Sequence, residues 1–218
     1  MKISKSEVLR YLGYGGAAAE RRILALIAQL TAELEACVNP KSSFGICDCR
    51  IDAPAVTLGD ITVNSKNLAE HLKGCRHAAL MAATLGAGAD SLIRRYSVRD
   101  MEKAAIAHAI CAAMIEAYCD QAECEILQNS ELYPAALTDR FSPGYGDFAL
   151  SHQKDILRLL GELNRGSHIG LTLTDGYMLI PSKSVTAVIG LTGEKRHAKE
   201  KCGSCAGLKE RCAFKETK

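Results

Sequence analysis

Between residues 100 and 127 the chain carries neither proline nor glycine and is rich in alanine. Alanine has the highest helix propensity, and the two residues that most disfavour a helix are missing. The window predicts one long helix. Ala105, Ala109, Ala112 and Ala113 keep much of its surface small, so other elements can approach closely. Such a helix belongs at the centre of a fold, and the remaining elements must be arranged around it.

The flanking segments read as follows. Ser4 and Ser6 are candidate N-caps for a short helix carrying Val8, Leu9 and Leu12. Ile23, Leu26, Ile27, Leu30 and Leu34 recur at helical spacing and predict a helix over 17–36, ended by Asn39-Pro40. Residues 43–63 read as strands with a turn at Gly59-Asp60. Ser65 is a candidate N-cap for a helix bearing Leu68 and Leu72. Residues 75–85 form an apolar run that periodicity alone leaves open between strand and helix. A strand is expected, entering a Gly86-Ala87-Gly88 loop before a helix over 89–96. Residues 132–151 read as irregular and 151–163 as helix. Residues 169–174, 177–181 and 184–190 read as strands. This order is not a strict β-α-β alternation. It predicts an α+β fold with a twisted, mainly antiparallel sheet flanked by helices. Residues 1–190 are expected to form one domain and 191–218 a tail.

Within the irregular stretch lies Arg140-Phe141-Ser142-Pro143-Gly144-Tyr145-Gly146-Asp147. Proline removes a backbone donor, and the glycines reach angles closed to other residues. The run is either an ordinary turn or a loop that clamps a ligand with Arg140 and Tyr145. Glu116, on the long helix, is either a solvated charge or a ligand contact. Pro181-Ser182-Lys183-Ser184 joins two apolar runs, and is either a polar turn or an anion-binding loop.

Composition removes several function classes. The 218 residues hold 27 Lys+Arg against 25 Asp+Glu and no tryptophan. That balance offers neither a basic nucleic-acid surface nor a base-stacking platform. No apolar run approaches the roughly 18 residues of a membrane span. The polar start, Met1-Lys2-Ile3-Ser4-Lys5, lacks a secretory pattern, so a cytoplasmic location is expected. There is no phosphate-binding P-loop, no complete dinucleotide fingerprint and no nucleophile elbow.

Ten cysteines are many for such a chain. A cytoplasmic setting argues against a disulfide framework. Cys202, Cys205 and Cys212 form a C-x2-C-x6-C pattern suited to zinc or an iron–sulfur cluster, with His197, Cys47 or Cys49 as a fourth ligand. A loose tail with reactive thiols is the alternative. Cys75, Cys111, Cys119 and Cys124 read as core fillers. His108 and His152 have no partner pattern and read as structural.

Taken together, these segments resemble the activation (reactivation) domain of cobalamin-dependent methionine synthase. Arg140-Phe-Ser-Pro-Gly144-Tyr145 is similar to that family's Arg-x-x-x-Gly-Tyr signature. Ala83-Thr84-Leu85-Gly86, Ile115-Glu116-Ala117 and Pro181-Ser-Lys-Ser-Val185 follow the family's order. The resemblance implies a C-shaped α+β domain that binds S-adenosylmethionine and docks on a cobalamin domain in the inactive cob(II)alamin state. There a reductant such as flavodoxin supplies an electron, and methylcobalamin is regenerated. It implies that Arg140 receives the ligand carboxylate and Glu116 its ammonium. Tyr145 would cover the ligand, with Gly144 and Gly146 allowing close backbone approach, and Ser182, Lys183 and Ser184 are a candidate wall of the groove. This chain has no substrate, folate or cobalamin module, so the implied partner is a separate methionine synthase or another corrinoid protein. The cysteine tail replaces the family's last segment. A metal- or redox-sensing protein built on that tail is the competing reading.

Overall fold

A strand that is apolar at almost every position must be covered on both faces. Strand β4 (His77–Thr84) is such a strand: after His77 every residue is buried. Ala79, Met81 and Ala83 point into one core, and Ala78, Leu80 and Ala82 into another. Period-two alternation thus feeds two cores from one strand. The computed structural model describes residues 3–14, 19–129, 136–164 and 169–193.

β4 lies between β1 (Lys41–Asp52) and β8 (Ser184–Thr192), antiparallel to both. Beyond β1 come β2 (Ala55–Leu58) and β3 (Ile61–Asn64), and beyond β8 a short β5 (Ala136–Leu137). The six-stranded order is β3-β2-β1-β4-β8-β5, with β6 (Thr172–Leu173) and β7 (Leu179–Ile180) forming a separate hairpin. Every pairing between these strands is antiparallel. The α+β class and the antiparallel sheet agree with the sequence reading.

Helices α1 (Lys5–Tyr11), α2 (Arg21–Glu35), α4 (Ala87–Arg99) and α5 (Met101–Asn129) cover one face of the sheet. Helices α3 (Lys66–His71) and α6 (Gln153–Leu163) pack into the core of the other. α5 is the long helix expected from the proline- and glycine-free window. At 1.5 Å per residue it spans about 44 Å. It packs against α1, α2, α4 and the sheet, which is why its apolar residues are not confined to one stripe.

Local signals explain several boundaries. Ser4 caps α1 by accepting from the Ser6 N–H, and Ser65 caps α3 by accepting from the Leu68 N–H. Gly59 takes φ +58° in the β2–β3 turn. Other expectations need correction. α2 begins at Arg21, not residue 17. Gly86-Ala87-Gly88 is not a loop throughout, because α4 starts at Ala87. β5 lies inside a stretch read as irregular, and β6 and β7 are shorter than expected. β8 continues past Gly190 to Thr192, with Leu191 buried. Among the described residues no helix is long and apolar enough to cross a membrane.

Candidate functional site

The site begins with three carboxylates on one face of α5. Glu116, Asp120 and Glu123 are separated by four and then three residues, the spacing that stacks side chains on a helix. Into them projects Arg140, whose side chain is only 14% exposed. Its Nη2 donates to Glu116 Oε2 at 2.8 Å. Its Nη1 donates to Asp120 Oδ1 at 2.9 Å and to Glu123 Oε1 at 2.5 Å. Burial alone would lower the pKa of Arg140, but the surrounding charge, led by Glu123, outweighs it and drives the pKa up. The guanidinium is therefore a fixed cation.

Arg140 reaches this place because the chain after β5 runs along β8. The Thr138 N–H donates to Gly190 O, and Phe141 and Val188 exchange backbone hydrogen bonds at 3.0 and 2.8 Å. There the run leaves the sheet edge. Among the described residues no strand pairs with β8 on that side between 184 and 187. The loop then closes on itself: Gly144 N–H donates to Phe148 O at 2.7 Å, and Phe148 N–H to Tyr145 O at 3.0 Å. Gly144 and Gly146 both have positive φ, +96° and +55°, which favours glycine at each. Tyr145 stands between them, 66% exposed. The aromatic side chain is thus presented to solvent on a closed turn.

The C-terminal end of α1 also belongs to this region. The Tyr11 hydroxyl pKa is raised, first by burial and then by the Glu116 charge. Sequence reasoning did not single out Tyr11, Asp120 or Glu123. The four-then-three spacing of the acids was the available signal for the last two.

Ser182, Lys183 and Ser184 lie beside α4 instead. Ser182 N–H and Oγ donate to Asp90 at 2.8 and 2.6 Å. Ser184 Oγ donates to Thr84 Oγ1 at 2.7 Å, and that oxygen accepts from the Gly86 N–H. The Leu85 N–H donates to Lys183 O. Two segments noted separately in the sequence, 83–86 and 181–185, are thus one structural unit. Burial, and then the Lys183 charge, lower the His108 pKa.

The proposed metal ligands Cys202, Cys205 and Cys212, with His197, lie outside the described residues. Among the described residues no group of three or more His, Cys, Asp or Glu is arranged to hold a metal. Cys124, read as a core filler, is exposed, whereas Cys75, Cys111 and Cys119 are buried. Desolvation pushes the thiols of Cys47, Cys111 and Cys119 up to about 12 and that of Cys49 to about 11. The thiolate is the reactive form. Brief iodoacetamide treatment of the folded protein at pH 8 should therefore label Cys124 and spare these four. Peptide mass mapping checks this, and equal labelling of Cys47 would contradict its placement.

A solved structure of the MetH reactivation domain bound to AdoHcy shares this fold. The two align with a TM-score of 0.55 over 90% of this chain and 79% of that one, at 15% identity. No family model matches the chain, and no curated protein matches its sequence. The likeness is one of fold.

Proposed function

We propose that the protein binds S-adenosylmethionine at Arg140 and Glu116 and supports reductive remethylation of oxidised cobalamin on a separate corrinoid protein, such as a methionine synthase. The observation that carries this reading is the ion pair between Arg140 and Glu116, built by the Arg-x-x-x-Gly-Tyr run in this particular fold.

An amino acid zwitterion is the natural complement of a preformed ion pair. Its carboxylate takes the guanidinium, whose planar fork suits two oxygens. Its ammonium takes the carboxylate so released. The exchange leaves no charge uncompensated, and Asp120 and Glu123 continue to hold Arg140 in place. Tyr145, exposed on its turn, would cover the bound ligand. The ligand would supply the methyl group, and a reductant such as flavodoxin the electron that cob(II)alamin requires before it can accept that methyl. The chain itself contributes no acid or base, only placement of the donor, which is catalysis by proximity.

Calorimetric titration with S-adenosylmethionine tests the binding step. Saturable one-to-one binding is expected. Glu116→Gln should weaken it roughly tenfold, the scale of about 1.5 kcal/mol for a charge-assisted hydrogen bond. Unchanged affinity in that variant would remove Glu116 from the site. No binding at all would leave the functional reading without support.

A further inference from the structure

The loop that presents Tyr145 is held at two levels. Its base is anchored by aromatic packing. Phe148 is buried, and its ring stacks on Phe141 at 6.2 Å with a 9° interplanar angle. His71 and His152 extend the stack on either side. The crest at 144–146 is closed onto that base by its own backbone hydrogen bonds, and Asp147 ties it to α3.

Asp147 works across eighty residues of sequence. Its carboxylate accepts from Lys66 N–H at 2.8 Å, from Asn67 N–H at 3.2 Å, and from the Ser65 hydroxyl. The two N–H groups are backbone donors that the start of α3 leaves without helical partners. The contact is reciprocal, since the Asp147 N–H donates to Asn67 Oδ1 at 3.2 Å. The backbone of Gly146 lies so close that a Cβ there would stand 2.6 Å from the same Asn67 oxygen. The positive φ and the closeness of Asn67 favour glycine at 146, and the carboxylate at 147 adds three accepted hydrogen bonds to the one its N–H donates.

We infer that Asp147 is a positioning residue: by latching the crest onto α3, it fixes the point from which Tyr145 meets a bound ligand. The ligand half of this inference rests on the proposed function, whereas the latch itself does not. A latched crest lets the ligand bind without first ordering the turn, and preorganisation of this kind raises affinity.

The chain contains no tryptophan, so Tyr145→Trp installs a single reporter on the crest. In that background Asp147→Ala should lower fluorescence anisotropy and raise acrylamide quenching, and Asp147→Asn should restore part of both. Ser65→Ala is the control. It removes the α3 cap and one of the three donors to Asp147 but leaves the two backbone donors, so it should lower the melting temperature and move the reporter signal less than Asp147→Ala does. In the chain with native Tyr145, Asp147→Ala should weaken S-adenosylmethionine binding roughly tenfold, a loss of contact order in the free site rather than of contacts. A reporter indifferent to Asp147→Ala overturns the latch. A reporter that responds while affinity stays unchanged overturns the positioning role. If the native chain does not bind the ligand, the proposed function falls, and the fluorescence comparison still decides the latch.

Discussion

Replacing Arg140 by alanine should abolish measurable binding of S-adenosylmethionine and also destabilise the fold. Truncating one partner of a buried charge pair costs about 2–5 kcal/mol of affinity, and each 1.4 kcal/mol is about a factor of ten. A loss of about a hundredfold or more is expected. The stability effect has a separate cause. Glu116, Asp120 and Glu123 would be left as three like charges on one face of α5, at spacings where like charges repel. Removing one member of a buried ion pair costs about 3–5 kcal/mol. The acids here retain solvent, with 26–56% of their side chains exposed, so the lower end, about 3 kcal/mol, is expected. For a chain of this size that lowers the melting temperature by about 6–12 °C. Arg140→Lys should recover part of the stability, as a point charge among the acids, but little of the binding, because the fork is lost. Calorimetry and thermal denaturation separate the two effects. Full binding by Arg140→Ala would displace the ligand from this site altogether.

The largest effect on stability alone should come from Gly88→Ala. Gly88 lies in the first turn of α4, where that helix crosses the end of α2. A Cβ there would stand 2.0 Å from Cys37 O and 2.8 Å from the Cys37 carbonyl carbon. Both are backbone atoms, so no rotamer change relieves the clash. The crossing is also pinned next door, by the Asn39 N–H donating to Leu85 O at 2.9 Å. The two elements must separate, opening the core beneath Ala89 and Leu92. The cost should reach about 3 kcal/mol or more, at or beyond the upper end for overpacking. Gly74→Ala provides the contrast. That residue has φ +82° but open space around its Cβ direction, so only the left-handed backbone is penalised, by about 1–2 kcal/mol. Denaturant titration should rank the two variants in that order. A Gly88→Ala protein as stable as the parent would show that α2 and α4 do not cross so closely.

Gly88 also marks where sequence reading stops. A glycine pair around one residue signals a turn by local chemistry, and Gly86, at φ +80°, does cap α4. Gly88 is helical, and its reason is a neighbour fifty residues earlier that no local pattern reveals. The same division runs through the rest of the chain. The long helix was legible because its formation is a local matter of propensity. The Ser65 cap was legible because the acceptor and its helix are adjacent. β4 was legible as an apolar run, although only the sheet decides that it is a strand. The short β5 was not, since two residues carry no periodicity and pair only because β8 offers an edge. At the site, Arg140 and Glu116 were named from motif and resemblance, and the structure brings them into contact. Asp147 was visible as one more carboxylate in an irregular run. Its partners, Ser65 to Asn67, are distant in sequence, so its work could be read only from the fold.

The sheet order sets the schedule of folding. Thr84 and Ser184 meet in space although a hundred residues separate them. Strand β4 pairs on one edge with β1, close to it in sequence, but on the other edge only with β8, whose residues come far later in the chain. In the interval the most apolar strand of the molecule shows a bare hydrogen-bonding edge, the kind that recruits other chains. Pairing at such separation is slow, because chain closure precedes any reward. Synonymous codons that slow translation between α5 and β8 should therefore lower the soluble yield, measured as the soluble fraction of the expressed protein.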